Sequence, residues 1–537
     1  MSQGPIRRYP GWALLAAAFL GSVFWVFTRS VPLGDDRPVT LRIAHWQIEQ
    51  GPPEGIDAVI KRYEELNPRV RVKQVRIPAT VYRQWLRANF SGGIAPDIVE
   101  YGAWLDGLAD FPARYFEPMT TELMEPNPHN AGTPLAGRPW IKTFVDELLE
   151  QRLNSPEPGQ YYAVNLTRGS VRLFCNRELL REIAGTEVPP RTLIELRQVF
   201  ARTTERARRT GQPLHALAGS RDNAMWLMEY YMGGLMIRRA RSLDLEGVHG
   251  VYPRHIQRAY LEGSWHFADP ELQAGLAVLQ DFARQMRPGF LQLGRDEAVR
   301  EFLSGEALFI FAGTWDATTL RRSAPFTVAA LRLPQATRDD PVVGSQVMGP
   351  FSDGDNSTSF GFYLNRRGPN RATAVDFLRF LTSYEGSRIF SANSGWVSGI
   401  AEVPVPPELA AHLSPGDGYS YGANFIFAGP HLRMAFERNL HQLVGPQGTV
   451  ESMASVLEAE APAAVRADLR IEQRTANVVV LPQDARIAAL GHWMATTEAG
   501  VAARLRLERL EAAQTQSEAR ALMIGRWLQA AEAAGPK

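Results

Sequence analysis

The chain has 537 residues, more than one hydrophobic core sustains, so two or more domains are expected. A hydrophobic fraction of 45% and a charged fraction of 21% are those of an ordinary folded protein, and a formal net charge of +1 gives no reason to expect nucleic acid or an acidic surface as partner. The single cysteine, Cys175, excludes an intramolecular disulfide and any cysteine-built zinc or iron–sulfur site, and within the apolar run 171–175 it reads as a buried strand residue.

Arg7 and Arg8 precede a nearly wholly apolar run from Gly11 to Phe27. Positive residues ahead of an apolar run mark export, with the N-terminus left in the cytoplasm. The run is longer than the apolar core of a typical signal peptide and at the short end of a membrane-spanning helix. No small-x-small cleavage site follows, and no cysteine is there to carry a lipid. Residues 1–27 are therefore read as a signal-anchor or signal peptide, with the uncleaved anchor favoured. Either way the rest of the chain lies on the outer face of the cell membrane, in the periplasm or its equivalent. Residues 28–38, polar and holding Pro32 and Pro38, form a linker.

Val39 to Ala44 alternates as a first strand, and Gly55 to Leu66 places Ile56, Val59, Ile60 and Tyr63 on one helical face. Asn67-Pro68 stops that helix; Val70 to Val75 alternates again, a helix follows near 81–90, and Ile98 to Glu100 is a third strand. Strand–helix–strand–helix–strand predicts an α/β domain with a largely parallel sheet. A second such region starts near Gln160, with a strand at 171–175, helices at 191–209, 222–237, 270–286 and 295–304, and strands at 307–311 and 326–331. The Gly-, Ser- and Asp-rich stretch 341–359 reads as a crossing loop; a strand at 360–364 and an amphipathic helix at 371–382 follow it. From Arg466 onward the spacing is largely helical, with no internal repeat.

Several of these segments resemble the extracellular solute-binding proteins of ABC importers, in the branch that takes up maltose and other sugars. LRIAHW followed by AVIKRYEELNPRVRVKQV resembles that family's opening strand, helix and strand. GGIAPDIVEYGAW resembles its Gly-x-x-Pro-Asp motif, and YYAVNLTRGSVRLFCNRELL its hinge-crossing segment, with Cys175 in place of the usual Tyr and Asn176 kept. VPPRTLIELRQVF, EFLSGEALFIFAGTW and GFYLNRRGPNRATAVDFLRFLTSYEGSRIF resemble its later motifs in the family's order, so that the match covers roughly 40–460.

The resemblance implies a periplasmic-binding-protein-like α/β fold: two α/β lobes joined by a hinge, with a ligand cleft between them. The expected division is 39–166 with 345–392 in lobe 1, 167–344 with 393–470 in lobe 2, and 471–537 as a helical C-terminal extension. It also implies a small-molecule ligand, a sugar or oligosaccharide, delivered to ABC permease subunits in the membrane by a monomer. No nucleic acid, metal or cofactor is expected.

A sugar presents flat C–H faces and edges of hydroxyls, so its site needs aromatic planes beside acids or amides. Loops at the C-terminal ends of strands are where open α/β sheets bind ligands. That places Trp46 and Glu49 or Gln50 after the first strand, Glu100, Tyr101 and Trp104 at the end of the third, Trp315 after the strand 307–311, and Trp396 after the crossing helix. Tyr101 matches a family position that often stacks on sugar, and Trp315 matches the family's Gly-x-Trp. Trp226 and Trp265 read equally well as lobe packing, and Asp97 as a tie for the loop backbone before a strand.

An enzyme acting on carbohydrate would need a carboxylate pair. Asp106 with Asp110, or Asp353 with Asp355, carry no mark beyond loop acids, and none of the common nucleophile, zinc or phosphate-loop motifs is present. A second alternative keeps the binding fold but makes the chain a membrane-tethered sensor or scaffold.

Overall fold

Apolar residues that recur every second position, then every third or fourth, can bury one face only if strands and helices layer on each other. The computed structural model describes residues 18–22, 39–102, 105, 111–149, 151, 155, 159–244, 251–352, 358–414, 416–419, 425–426, 428–498 and 500–533. In it, β1 (Val39–His45), the helix Pro52–Leu66, β2 (Val70–Arg76), the helix Ala79–Ser91 and β3 (Ile98–Glu100) follow in order. β1 runs parallel to both β2 and β3. Ile56, Val59, Ile60 and Tyr63 are buried beneath the helices Arg371–Leu381 and Tyr384–Ser394 in one core. Asp97 does tie backbone, accepting from the Arg42 amide at 2.9 Å.

β4 (Phe116–Glu117) adds a short rung, and β5 (Ala163–Arg168) then leads through Gly169 and Ser170 directly into β6 (Val171–Asn176) of a second sheet. That sheet is ordered β7 (His215–Ala218), β8 (Ala307–Gly313), β6, β9 (Val328–Leu331). Cys175 lies in it, fully buried. The chain returns as β10 (Thr358–Asn365), inserted between β5 and β3, and β11 (Val397–Ser398) pairs with β5 at the edge. Two sheets with separate cores, joined by chain crossings, make two α/β lobes.

The expectation of largely parallel sheets is corrected. β10 runs antiparallel to β3 and β5, and β6 antiparallel to β8 and β9. A strand reached through a crossover helix starts at the same end as its neighbour, whereas one arriving directly from the other lobe starts at the opposite end. β6 arrives that way, through Gly169 and Ser170.

A helical C-terminal region is present. Its first helix, Val450–Thr496, buries Met453, Leu457, Ala461, Val465 and Leu469 at four-residue spacing against the second lobe. It is locked there by Asp468, which accepts from the His431 and Leu432 amides at 2.9 and 3.1 Å and so caps the helix Pro430–Asn439. Farther out it pairs with the helix Val501–Ala533. No helix among the described residues is long and apolar enough to cross a membrane. Of the run 11–27, residues 18–22 are described, as helix with Phe19 and Leu20 exposed; the remainder lies outside the described residues.

Candidate functional site

β1 ends at His45, and the chain then turns through Trp46–Gly51. The Glu100 carboxylate, fully buried at the end of β3, holds this turn by accepting from the Trp46 amide at 3.0 Å and from Gln47 Nε2 at 2.6 Å. Burial pushes the Glu100 carboxyl well above the usual range; its two donors oppose that rise and the nearby Glu49 charge adds to it. Trp46 stands edge-on to Tyr82, ring centres 5.0 Å apart. Gly51, at φ 118°, presses against the Ser394 carbonyl so closely that a Cβ would lie 2.2 Å from its oxygen, and only glycine fits both conditions.

With the turn held, Glu49 projects toward the second lobe. Its Oε1 meets Arg295 Nη2 at 2.9 Å, and the same nitrogen meets Asp316 Oδ1 at 2.6 Å. Burial works against the Arg295 charge, but Asp316 and Glu49 more than offset it. Burial also lifts the Asp316 carboxyl to about 6, against the pull of Arg295 and with Glu49 and Asp296 adding to the rise. Thr318 Oγ1 gives a second bond between lobes, donating to the Ser394 carbonyl at 3.0 Å.

Trp315 leaves β8 in the short turn Thr314–Asp316. Its indole folds back over Gly313, meets Trp226 edge-on at 5.8 Å, and packs against the first lobe's core. Trp396, a member of that core, is 7% exposed, edge-on to Phe360 at 5.7 Å, and its Nε1 donates to no described residue. Phe360 sits within β10 at φ 60°, a conformation that bulky side chains rarely adopt and that concentrates at functional sites. Its ring meets His45 edge-on at 6.0 Å; burial pushes His45 down to about 4, so this imidazole is neutral near pH 7.

The structure thus puts Trp46 and Glu49 on one turn with Glu100 beneath it, and packs Trp315 against the first-lobe core that holds Trp396; Trp396 and β11 belong to the first lobe, although the expected division placed residues from 393 in the second. Tyr101 lies in an aromatic cluster with Phe111, Phe116 and Tyr363 and is 6% exposed. Trp104 and the acids Asp106, Asp110, Asp353 and Asp355 lie outside the described residues. Trp265 is lobe packing, buried against Phe425 and Phe267. Trp226, read equally as packing, joins Trp315, while Arg295, Asp316 and Thr318 were not singled out. Asp316 had a signal, since it directly follows Trp315; Arg295 sits at an ordinary charged helix start.

The sequence profile of the bacterial extracellular solute-binding proteins matches residues 58–413. No curated protein matches. Among solved structures, the chain is similar to the maltose-bound MalE3 of T. maritima (16% identity, TM-score 0.55, covering 79% of this chain and 99% of that one). It is similar also to the solute-binding protein RafE in complex with raffinose (16%, 0.54, 79% and 99%) and to a chitin oligosaccharide binding protein (18%, 0.54, 79% and 98%). At these identities the likeness shows the fold.

Proposed function

Because the chain belongs to the bacterial extracellular solute-binding proteins of ABC importers, we propose that it binds a sugar or oligosaccharide between its lobes and delivers it to a membrane permease. Membership of an extracellular family implies an extracytoplasmic location. The observation that carries the ligand class is the meeting of acids from both lobes beside tryptophans: Asp316, next to Trp315 and its neighbour Trp226, shares Arg295 with Glu49, which lies on the turn that holds Trp46. Indole faces suit the C–H faces of a pyranose, and carboxylates suit its hydroxyls. Contacts made to both lobes at once favour the closed arrangement, which is the form a permease can distinguish. No bond is made or broken in this scheme. The structural neighbours named for maltose, raffinose and chitin oligosaccharide support the same ligand class, and the richness in aromatics supports an uncharged oligosaccharide over a sugar phosphate.

The test is a thermal-shift screen of the full-length protein against maltotriose, raffinose, xylotriose, chitotriose and glucose 1-phosphate. A ligand that binds only the native state raises the melting temperature by mass action. A rise with one neutral sugar, and no turnover of it, is the expected result. A rise with glucose 1-phosphate alone refutes the proposed ligand class.

A further inference from the structure

Arg295 Nη2 is shared by two carboxylates from opposite lobes, Glu49 at 2.9 Å and Asp316 at 2.6 Å. Three other polar atoms of the same trio, Glu49 Oε2, Arg295 Nε and Asp316 Oδ2, are buried and hydrogen-bond to no described residue. Asp316 itself is only 3% exposed. Buried polar atoms are nearly always paired, so three orphans on one interlobe cluster ask for an outside partner. The set comprises two acceptors and one donor. Two neighbouring hydroxyls complement it: each O–H donates to one carboxylate, and one hydroxyl oxygen accepts from Nε. A phosphate or carboxylate brings acceptors and a negative charge to a place that already holds two acids. The surrounding residues fit the same partner, since Asp316 follows Trp315 directly and Glu49 shares its turn with Trp46.

Resting on the sugar-binding reading above, the geometry points to Glu49, Arg295 and Asp316 as a hydroxyl-recognition cluster that selects uncharged ligands with adjacent hydroxyls and draws the lobes together. Arg295 is the part that acts without ligand, because it alone bridges the two acids. The bridge holds the walls near one another; the hydroxyl pair then occupies the open atoms and completes it. Rejection of anions follows from the two carboxylates, which lose half their hydrogen bonding and face repulsion when an anion takes that place.

The test uses the full-length protein carrying Lys61→Cys and Arg209→Cys, exposed positions on different lobes, for distance measurement between spin labels. Cys175 does not compete for label, being buried with its thiol pushed up to about 12. Affinity for maltotriose, raffinose, xylotriose, chitotriose and glucose 1-phosphate is measured alongside by calorimetry. Arg295→Ala is expected to lengthen the sugar-free distance and to weaken the sugar that binds wild type by about tenfold or more. Arg295→Lys keeps a charge but loses Nε, and is expected to weaken the same sugar in a chain whose melting temperature matches wild type. Glu49→Gln with Asp316→Asn is expected to narrow the preference for that sugar over glucose 1-phosphate. Wild-type sugar affinity in all of these folded variants overturns the cluster and leaves the sugar-binding reading standing. Binding of glucose 1-phosphate but of no neutral sugar by wild type overturns both.

Discussion

Gly313→Ala isolates the placement of Trp315. Gly313 has φ −75° and ψ 157°, extended backbone that alanine adopts freely, so backbone strain plays no part. The added Cβ would lie 2.0, 2.1 and 2.3 Å from the Trp315 ring atoms Cε2, Cζ2 and Cδ2. Carbon atoms pack at about 3.5–4.0 Å, so the indole has to retreat by about 1.5 Å or more. It has little room, with Trp226 edge-on to it and the first lobe's core behind it. Overpacking of this kind costs about 1–3 kcal/mol of stability. A stacking ring moved off its ligand loses a similar amount, about ten- to hundredfold in sugar affinity. Urea unfolding and calorimetry measure the two effects. Trp315→Ala removes the clashing atoms, so adding Gly313→Ala to it is expected to change stability by less than about 0.5 kcal/mol. Gly313→Ala that leaves both stability and sugar affinity at wild-type levels, or that costs as much in the Trp315→Ala background as in wild type, refutes the reasoning.

Asp316→Asn is expected to change the pH dependence of stability in a definite direction. Burial raises this carboxyl to about 6, with Arg295 opposing and Glu49 and Asp296 adding, so the native chain holds a proton that the unfolded chain releases between its ordinary 3.8 and 6. That contribution is full at low pH and is lost as pH rises through 6; for this deeply buried group it amounts to at most about 3 kcal/mol. His45 acts oppositely: held near 4, it makes the native state gain stability as pH rises from there toward 6.5. Urea curves at pH 4.5 and 7.5 should therefore show Asp316→Asn gaining on wild type at the higher pH, and equal differences at both would exclude a titrating Asp316. At the base of the C-terminal helices, Asp468→Ala removes the acceptor for two first-turn amides, that of Leu432 buried, and for His431 Nδ1 at 2.7 Å. A loss of about 2–4 kcal/mol is expected by urea unfolding, and a loss below about 0.5 kcal/mol would show the cap to be unimportant.

Much of the fold was legible because each element's periodicity records which of its faces meets the core. Ile56, Val59, Ile60 and Tyr63 recur at helical spacing and all are buried; Val70 and Val72 alternate with exposed Arg71 and Lys73. Cys175 in an apolar run is a buried strand residue for the same reason, and Asp97 after a proline ties backbone because a short acid in such a loop has an amide within reach. Of the candidate site, the tryptophans after strand ends could be proposed from sequence, since strand ends are where loops carry side chains out of the sheet. Their surroundings could not. Trp226 and Trp265 look alike in sequence, yet one meets Trp315 where the lobes approach and the other is enclosed by Phe267 and Phe425. Arg295 and Glu49 are 246 positions apart, and each looks like an ordinary solvated charge beside its neighbours. Local pattern therefore determined the strands, the helices and the aromatic supply. Only the meeting of two separately folded lobes decided which charges lose water together, because that depends on how the crossing at Gly169–Ser170 sets one lobe against the other.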